Sequence, residues 1–566
     1  MADPTPFVPG YSYTDYQETA PNDPLPGPQV DNDFADVATS TVTLVNAVKD
    51  VRRSDGKLKN GIVTYDSLSA SVKALLANTP TAAIPGFLTV ENFGAQGGAV
   101  DDSAAFEAAF ASGQRVLLSD VRGYTVKNVP TSDSGATLYC LVKGGVTINI
   151  PNGETGFIVQ GAATIDGPTI AGDSLYSIVD DPAVSTVENF TLRNARLEGG
   201  NFLVYTFGGG RMRRKWRFEN VDFVGSTNCC FFEKLDDSVF DERCTWSDVA
   251  GSHMTFYNGA RNEIRGTLYG GVASIIFLGM FSNAGFAYGP VEGNVIDVKL
   301  VEPLEEGVAF DINGADPDDC MARERSTVSA KSSSNPDYYA ITLAGTWPAE
   351  STGAFGNANG GEGGLAAYLC MTDGAQEGAS YRIFTNTLGQ MFFRRRTASG
   401  VVGDMSDAAF AAINVGDAAV VGMPFRDNTV TVRGTGQAGA NDYTAMVQFY
   451  GLGLCNKVID STIAMQKTGG SDICRGVGIF SLENINGAGS YISSSGHQRA
   501  APSPGNLVAQ NNLQGCDIEV AYYGFDADPA TYLTGGNRVV NNTVADGRLI
   551  YDAQAGDGRS GNLVIS

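Results

Sequence analysis

Two glutamates, Glu219 and Glu242, take matching places in successive copies of a weak sequence repeat, with Asp241 beside the second. Carboxylates held that close do not ionise independently; one is pushed toward the protonated form. An acid paired with a base or nucleophile, both carboxylates, is what hydrolysis of a glycosidic bond requires. Glu219, Glu242 and Asp241 are therefore the candidate catalytic residues. A solvated ladder of surface charge is the competing reading. The run RMRRKWRF, Arg211 to Phe218, is the densest basic stretch of an acidic chain. There Arg213, Arg214 and Lys215 can hold an anionic polysaccharide, with Trp216 stacking on a sugar. Arg217 and Arg265 stand near the paired carboxylates and complete the glycan-binding set. Salt bridges to acidic neighbours, with Trp216 in the core, account for the same run.

The repeat behind this alignment is asparagine, one residue, then valine or isoleucine. It begins at Asn262, Asn294, Asn428, Asn456, Asn506, Asn537 and Asn562, with Arg214 and Asp237 in register at substituted corners. The spacing falls within the roughly 20–50 residues of a solenoid, and short β-rich units make that solenoid a β-helix. Asparagine suits the corners because it tolerates left-handed backbone and can bond its own turn. With the corner counted as zero, positions +2 and +4 face inward and +3 and +5 outward, since strand side chains alternate. That count puts Arg217, Phe240, Arg265 and Asp297 in one outward column. It puts Glu219, Glu242, Thr267 and Lys299 in another. A register error of one residue turns every one of them to the other face.

One step breaks the rhythm. Asn294 to Asn428 is several times longer than the others, and the excess holds alternating strands such as YRIFTNTLG and MFFRRRT between glycine turns. Residues 320–422 are expected to be an inserted β-sandwich-like domain. The β-helix is expected over 86–319 and again over 423–566.

The bulk composition agrees with a turn-rich β protein. The 566 residues include 70 glycines and 22 prolines, and only 18% are charged. A net charge of −24 argues against nucleic acid as a partner, because phosphate binding needs a basic footprint. Nine cysteines without a C-x-x-C pair read as buried reduced thiols from a cytoplasmic assembly site. His253 is assigned a structural role. DINGADPDD, Asp311 to Asp319, lacks the full spacing of a calcium loop. No metal and no cofactor is expected. The N-terminus lacks a basic and an apolar region, so no secretory signal is expected, and no apolar run is long enough for a membrane span.

Residues 1–80 have a different character. Residues 1–30 are rich in proline, aspartate and tyrosine and read as an extended arm. Phe34, Val37, Thr41, Leu44, Val48 and Val51 then follow heptad spacing, which predicts a helix capped by Asp31 or Asn32 and self-associating, most simply as a homotrimer. A helix on its own domain's core is the other reading. A second helix is predicted over 66–78. The run PLPGPQVDNDFADV…VRRSDGKLKNGIVTYDSL resembles the virion-attachment segment of bacteriophage tail fibres and tailspikes. These carry a similar PLP…D-x-x-F helix followed by R-x-DG-x-L-x-N.

The stretch VENFGAQGGAVDDSAAFEAAF, Val90 to Phe110, supplies a glycine turn, a helix start at Asp101 or Asp102, and an apolar face of Ala105, Phe106, Ala109 and Phe110. It resembles the first turn of pectate-lyase-like right-handed β-helices, where a short helix covers the open end of the stack. The resemblances imply an all-β, trimeric, right-handed parallel β-helix with an N-terminal virion-attachment segment. They imply a tail protein of the virion, assembled in the host cytoplasm and acting outside at the host surface. Its partners would be phage tail or adaptor proteins and a bacterial surface polysaccharide. Adhesin, depolymerase and purely structural tail component are the functions left open.

Overall fold

The computed structural model describes residues 10–51 and 87–565, except 208–211, 279–281, 284–285, 288–290, 305, 312–321, 345–367, 373, 384, 388–389, 397–404, 423, 438–444, 452, 467–473, 484–499, 502, 525–535 and 552–557. The chain divides into two compact units, Met1–Leu75 and Leu76–Ser566. The predicted helix 66–78, the R-x-DG run and most of the Asp311 to Asp319 loop fall outside the described residues.

The described residues of the first unit form helices α1 (Tyr13–Thr19) and α2 (Gly27–Val51). The stretch expected to be extended therefore holds a helix. Ser12 Oγ accepts from the Asp15 N–H at 3.2 Å, which caps α1. The arm folds back on itself, with Gly10 N–H donating to Asp33 at 3.0 Å and Tyr16 Oη donating to the Pro24 carbonyl at 3.1 Å. Helix α2 starts at Gly27, ahead of the expected caps, because Pro28 needs no N–H partner in a first turn. Of its apolar seam, Phe34, Val37 and Leu44 are exposed among the described residues.

The second unit is a right-handed parallel β-helix, the handedness that nearly all parallel crossovers share. A 23-stranded sheet and a 13-stranded sheet carry most of the rungs. The larger one runs from Arg115–Leu117 to Leu563–Ile565, its neighbours paired in parallel and in register. The smaller one includes Tyr176–Asp180, Phe202–Tyr205, Asn228–Glu233 and Met254–Tyr257. Inward side chains stack into continuous columns. Phe232, Phe256, Phe277, Phe310 and Phe449 form one, with neighbouring centroids 5.1, 4.6, 4.9 and 4.6 Å apart.

Helix α3 (Ser103–Ala111) lies at the first rungs and buries Ala105, Phe106, Ala109 and Phe110. The adjacent aspartates divide the expected capping role. Asp101 Oδ1 accepts from the Ser103 N–H at 3.1 Å. Asp102 instead ties down the glycine turn, accepting from Gln96 and Gly97 N–H at 2.7 and 3.0 Å.

The corners work differently from the expectation. The left-handed residue is the one before each repeat asparagine: Arg261, Gly293, Asp427, Cys455, Gly505 and Gly536 all have positive φ. The buried asparagine that follows forms a ladder. Asn262 N–H donates to Asn294 Oδ1 at 3.0 Å, Asn294 to Asn428 at 3.0 Å, and Asn428 to Asn456 at 3.1 Å. The chain of bonds continues through Asn506 to Asn537. Asn562 belongs to a second ladder, Ser461–Asn511–Asn542–Asn562. Each amide satisfies a backbone N–H that a turn would otherwise bury unpaired.

Between Val308–Asp311 and Phe425–Arg426 the pairing changes from parallel to antiparallel. The described residues there form a seven-stranded, hydrogen-bonded antiparallel sheet. Its long strand Ala322–Ser332 pairs with Ala418–Gly422 in one half and Tyr338–Leu343 in the other. Helix α4 (Asp407–Ala412) packs on it, with Phe410 stacked on Tyr339 at 4.1 Å. The described cysteines are free thiols, and all but Cys455 are buried.

Candidate functional site

The predicted carboxylate pair is rearranged by register. Arg217 and Phe218 pair with Val239 and Phe240, and these with Glu263 and Ile264. The position aligned with Asn262 is thus Ser238, not Asp237, and in the preceding rung Trp216, not Arg214. Ser238 N–H donates to Asn262 Oδ1 at 3.0 Å, and Ser238 Oγ accepts from Trp216 N–H at 2.9 Å. Phe240, expected outside, is fully buried. Glu219 therefore neighbours Asp241, and Glu242 lies exposed in the following turn. The corrected outward column reads Asp166, Arg193, Glu219, Asp241, Arg265 and Asp297.

This column is laced with charge pairs. Arg193 Nε lies 2.9 Å from Asp166, Arg217 lies 4.0 Å from Glu219, and Arg265 pairs with Glu263. Asp241 accepts from Asn220 N–H at 2.9 Å and Arg243 Nε at 2.9 Å. Burial pushes the Asp241 carboxyl up, but these donors outweigh it and hold it below the usual carboxylate range. Asp241 is ionised at neutral pH, fit to be a base or nucleophile and not an acid.

Two predicted glycan contacts are removed from the surface. Trp216 and Arg213 are fully buried. Trp216 packs edge-on to Phe190 with centroids 5.2 Å apart. Arg213 pairs with Asp180, and both side chains are 0% exposed. A charge moved into the core must be paired to be tolerated, and Asp180 supplies the partner. Arg214 and Lys215 share Glu188, so they belong to a surface ion cluster. In the inserted sheet, Arg395 lies over the Tyr339 ring at 4.3 Å.

The outer face of the smaller sheet carries a cluster of aromatic side chains that the asparagine repeat does not mark. Tyr176, Phe202, Tyr205, Phe207, Phe231 and Tyr257 are half-buried and touch one another across successive rungs. Tyr205 stacks on Phe231 at 5.1 Å and 10°. Tyr176 lies 4.8 Å from Tyr205 and 5.8 Å from Phe202, and Phe231 meets Tyr257 edge-on at 4.7 Å. Beneath them Leu203 and Val204 face the core. Phe207 is fixed from below, its N–H donating to Asp180 Oδ1 at 2.5 Å. The buried Arg213–Asp180 pair thus positions the edge of the aromatic face. Glu233, 8% exposed, lies among the rings, and its backbone N–H donates to Thr206 Oγ1 at 2.6 Å. Burial, then the charge of Glu233, pushes the Tyr205 phenol up to about 12 and also raises Tyr257. Both phenols stay protonated and remain donors at any physiological pH.

Such a face offers flat apolar rings with hydroxyls among them. Aromatic side chains of this kind give large contact area and a polar handle at once. The sequence did contain a signal: YSIVD, FLVY, CCFFE and MTFY hold aromatics at non-core positions in consecutive rungs. Among the described residues no group of ≥ 3 His, Cys, Asp or Glu side chains is placed to hold a metal, and no helix is long and apolar enough to cross a membrane.

No protein-family model and no curated protein matches the chain. Solved structures with a similar chain path include the A-module of the Azotobacter vinelandii mannuronan C-5 epimerase AlgE6. It is 11% identical, covers 85% of this chain and 99% of its own, and has a TM-score of 0.42. The Streptococcus pneumoniae surface protein and adhesin PfbA is 9% identical, with 85% and 99% covered and a TM-score of 0.33. Tailspike protein 3 of bacteriophage CBA120 is 10% identical, with 90% and 71% covered and a TM-score of 0.32. These are likenesses of chain path, and the site stands on its own geometry.

Proposed function

We propose that the protein is a bacteriophage tail protein that binds a bacterial surface polysaccharide on the outer aromatic face of its β-helix. The carrying observation is the contiguous patch of Tyr176, Phe202, Tyr205, Phe207, Phe231 and Tyr257 on a sheet face that could have been wholly polar. Contiguous apolar patches on a soluble surface mark interaction sites. The C–H faces of pyranose rings pack on aromatic faces, while tyrosine hydroxyls serve the sugar hydroxyls. The N-terminal unit is the virion attachment, docking on a tail or adaptor protein. The exposed seam of Phe34, Val37 and Leu44 supports a homotrimer built through α2. The place of action is the virion tail at the host surface.

Soluble protein should block particle adsorption to the host, and Tyr205→Ala with Phe231→Ala should abolish the block while leaving the fold intact. Full blocking by that variant would remove the aromatic face from the mechanism. Sedimentation of the full chain tests the trimer, which Leu44→Glu should dissociate.

Cleavage of the bound chain is the second reading, favoured by the adjacency of Glu219 and Asp241. Neighbouring rungs lie about 4.8 Å apart, close to the roughly 5–5.5 Å between carboxylates of retaining glycosidases. Glu219 would then be the acid and Asp241 the nucleophile. Release of new reducing ends from host polysaccharide, lost in Glu219→Gln, is the required result; intact bound glycan eliminates this reading.

A further inference from the structure

A groove lies on another part of the β-helix, away from the aromatic face. It has a volume of about 350 Å³ and is lined by Glu302, Thr435, Gly436, Ala464, Met465, Gln466, Gln514, Gly515 and Asp546. The register explains its shape. Val301 pairs with Thr435, Gly436 with Met465, Ala464 with Gln514, and Gln514 with Ala545. Glu302, Gly436, Met465, Gly515 and Asp546 therefore occupy one position in successive rungs. The floor is low because its middle is glycine and a buried methionine. A Cβ on Gly515 would stand 2.3 Å from the Met465 carbonyl oxygen, and Gly515 has a φ of +68°. Glycine is thus required there, and a trough is left between the carboxylates at either end.

The chemistry of the walls is one-sided. Glu302 and Asp546 are exposed, Gln466 and Gln514 present amides, and none of the lining residues is basic. The carboxylates stand four rung steps, roughly 19 Å, apart. That is too far to share one metal ion, which needs its oxygen ligands within about 2.6 Å. It is the span of a linear ligand lying along the β-helix axis. One rung step is close to the length of a pyranose ring in a linear chain, so the trough accommodates about four sugars. The net charge of −24 favours a cationic ligand over an acidic one.

We infer that this groove is a second glycan site, for a linear oligosaccharide bearing free amino groups. Ammonium groups near the two ends would meet Glu302 and Asp546, and the amides and Thr435 would take ring hydroxyls. The site is independent of the aromatic face, so each can fail alone.

The test is calorimetric titration of the full-length protein with a glucosamine tetramer and, separately, with its fully N-acetylated form. The two differ in charge and not in length. The amino form should bind at least tenfold tighter, and the difference should shrink as salt is raised. Glu302→Gln together with Asp546→Asn should erase the preference without lowering thermal stability, since both groups are exposed. Tyr205→Ala with Phe231→Ala should leave it unchanged. Equal affinity for the two tetramers, no binding of either, or a preference that survives the double carboxylate variant overturns the inference. So does a preference lost in the aromatic variant alone.

Discussion

Two aromatic groups lie on opposite sides of the same sheet. Inside, Phe232, Phe256, Phe277, Phe310 and Phe449 stack rung upon rung, each fully buried or nearly so. Outside, Tyr176, Phe202, Tyr205, Phe207, Phe231 and Tyr257 stack in much the same way but keep one edge in water. In Asn228–Glu233 the two groups are adjacent in sequence, Phe231 outside and Phe232 inside. The same side chain does opposite work according to the parity of its position. The inner rings supply cohesion, since removing one leaves a cavity. The outer rings are only half-buried, so they lose less on removal, and their exposed area is available to a ligand.

The largest expected effect is on the inner side. Phe277→Ala should cost about 3–5 kcal/mol of stability, measured by denaturant unfolding. If Tyr205→Ala costs as much, the outer rings are structural and the contrast collapses.

His253 gives a pH-dependent probe of the inner side. It is fully buried, its Nε2 lies 3.1 Å from the Tyr269 carbonyl, and burial lowers its pKa from 6.5 to about 4. The unfolded chain takes up a proton between these values and the folded chain does not. Stability is therefore full above about pH 6.5 and declines as pH falls toward 4, by on the order of 3 kcal/mol. His253→Asn should remove that slope even if it lowers stability overall; a slope unchanged in the variant would contradict the assignment.

Next come the corners. Asn294→Ala leaves the Asn262 N–H and the Gly259 carbonyl without their partner. The cost should be about 1–3 kcal/mol, and hydrogen exchange at Asn262 should accelerate.

On the outer side, Tyr205→Ala should cost about 1–2 kcal/mol, through its ring contacts, yet weaken glycan binding at least tenfold. The smallest effect belongs to the charge column. Glu219→Gln should change stability by no more than about 0.5 kcal/mol, because its nearest cation is 4.0 Å away and both groups are partly solvated.

Much of this architecture was readable from residue order. The repeat asparagines identified the rungs, since their spacing follows from a corner that every rung needs. The apolar face of Ser103–Ala111 and its place at the start of the stack followed from glycine turn, aspartates and helical spacing. The long step after Asn294 located the antiparallel insertion. These are local features, set by turn chemistry and side-chain periodicity within a few residues.

Register between rungs is not local. Trp216 and Ser238 hold the position that asparagine takes elsewhere, so a count anchored on Arg214 and Asp237 set the carboxylates beside the wrong neighbours. The burial of Arg213 is equally invisible in RMRRKWRF, because its partner Asp180 lies 33 residues earlier in the chain. The aromatic face and the Glu302–Asp546 groove arise only where distant rungs are laid side by side. Composition and periodicity dictate that strands form and stack. Which side chains meet on the outside depends on a one-residue choice of alignment, and the packing of whole rungs makes that choice.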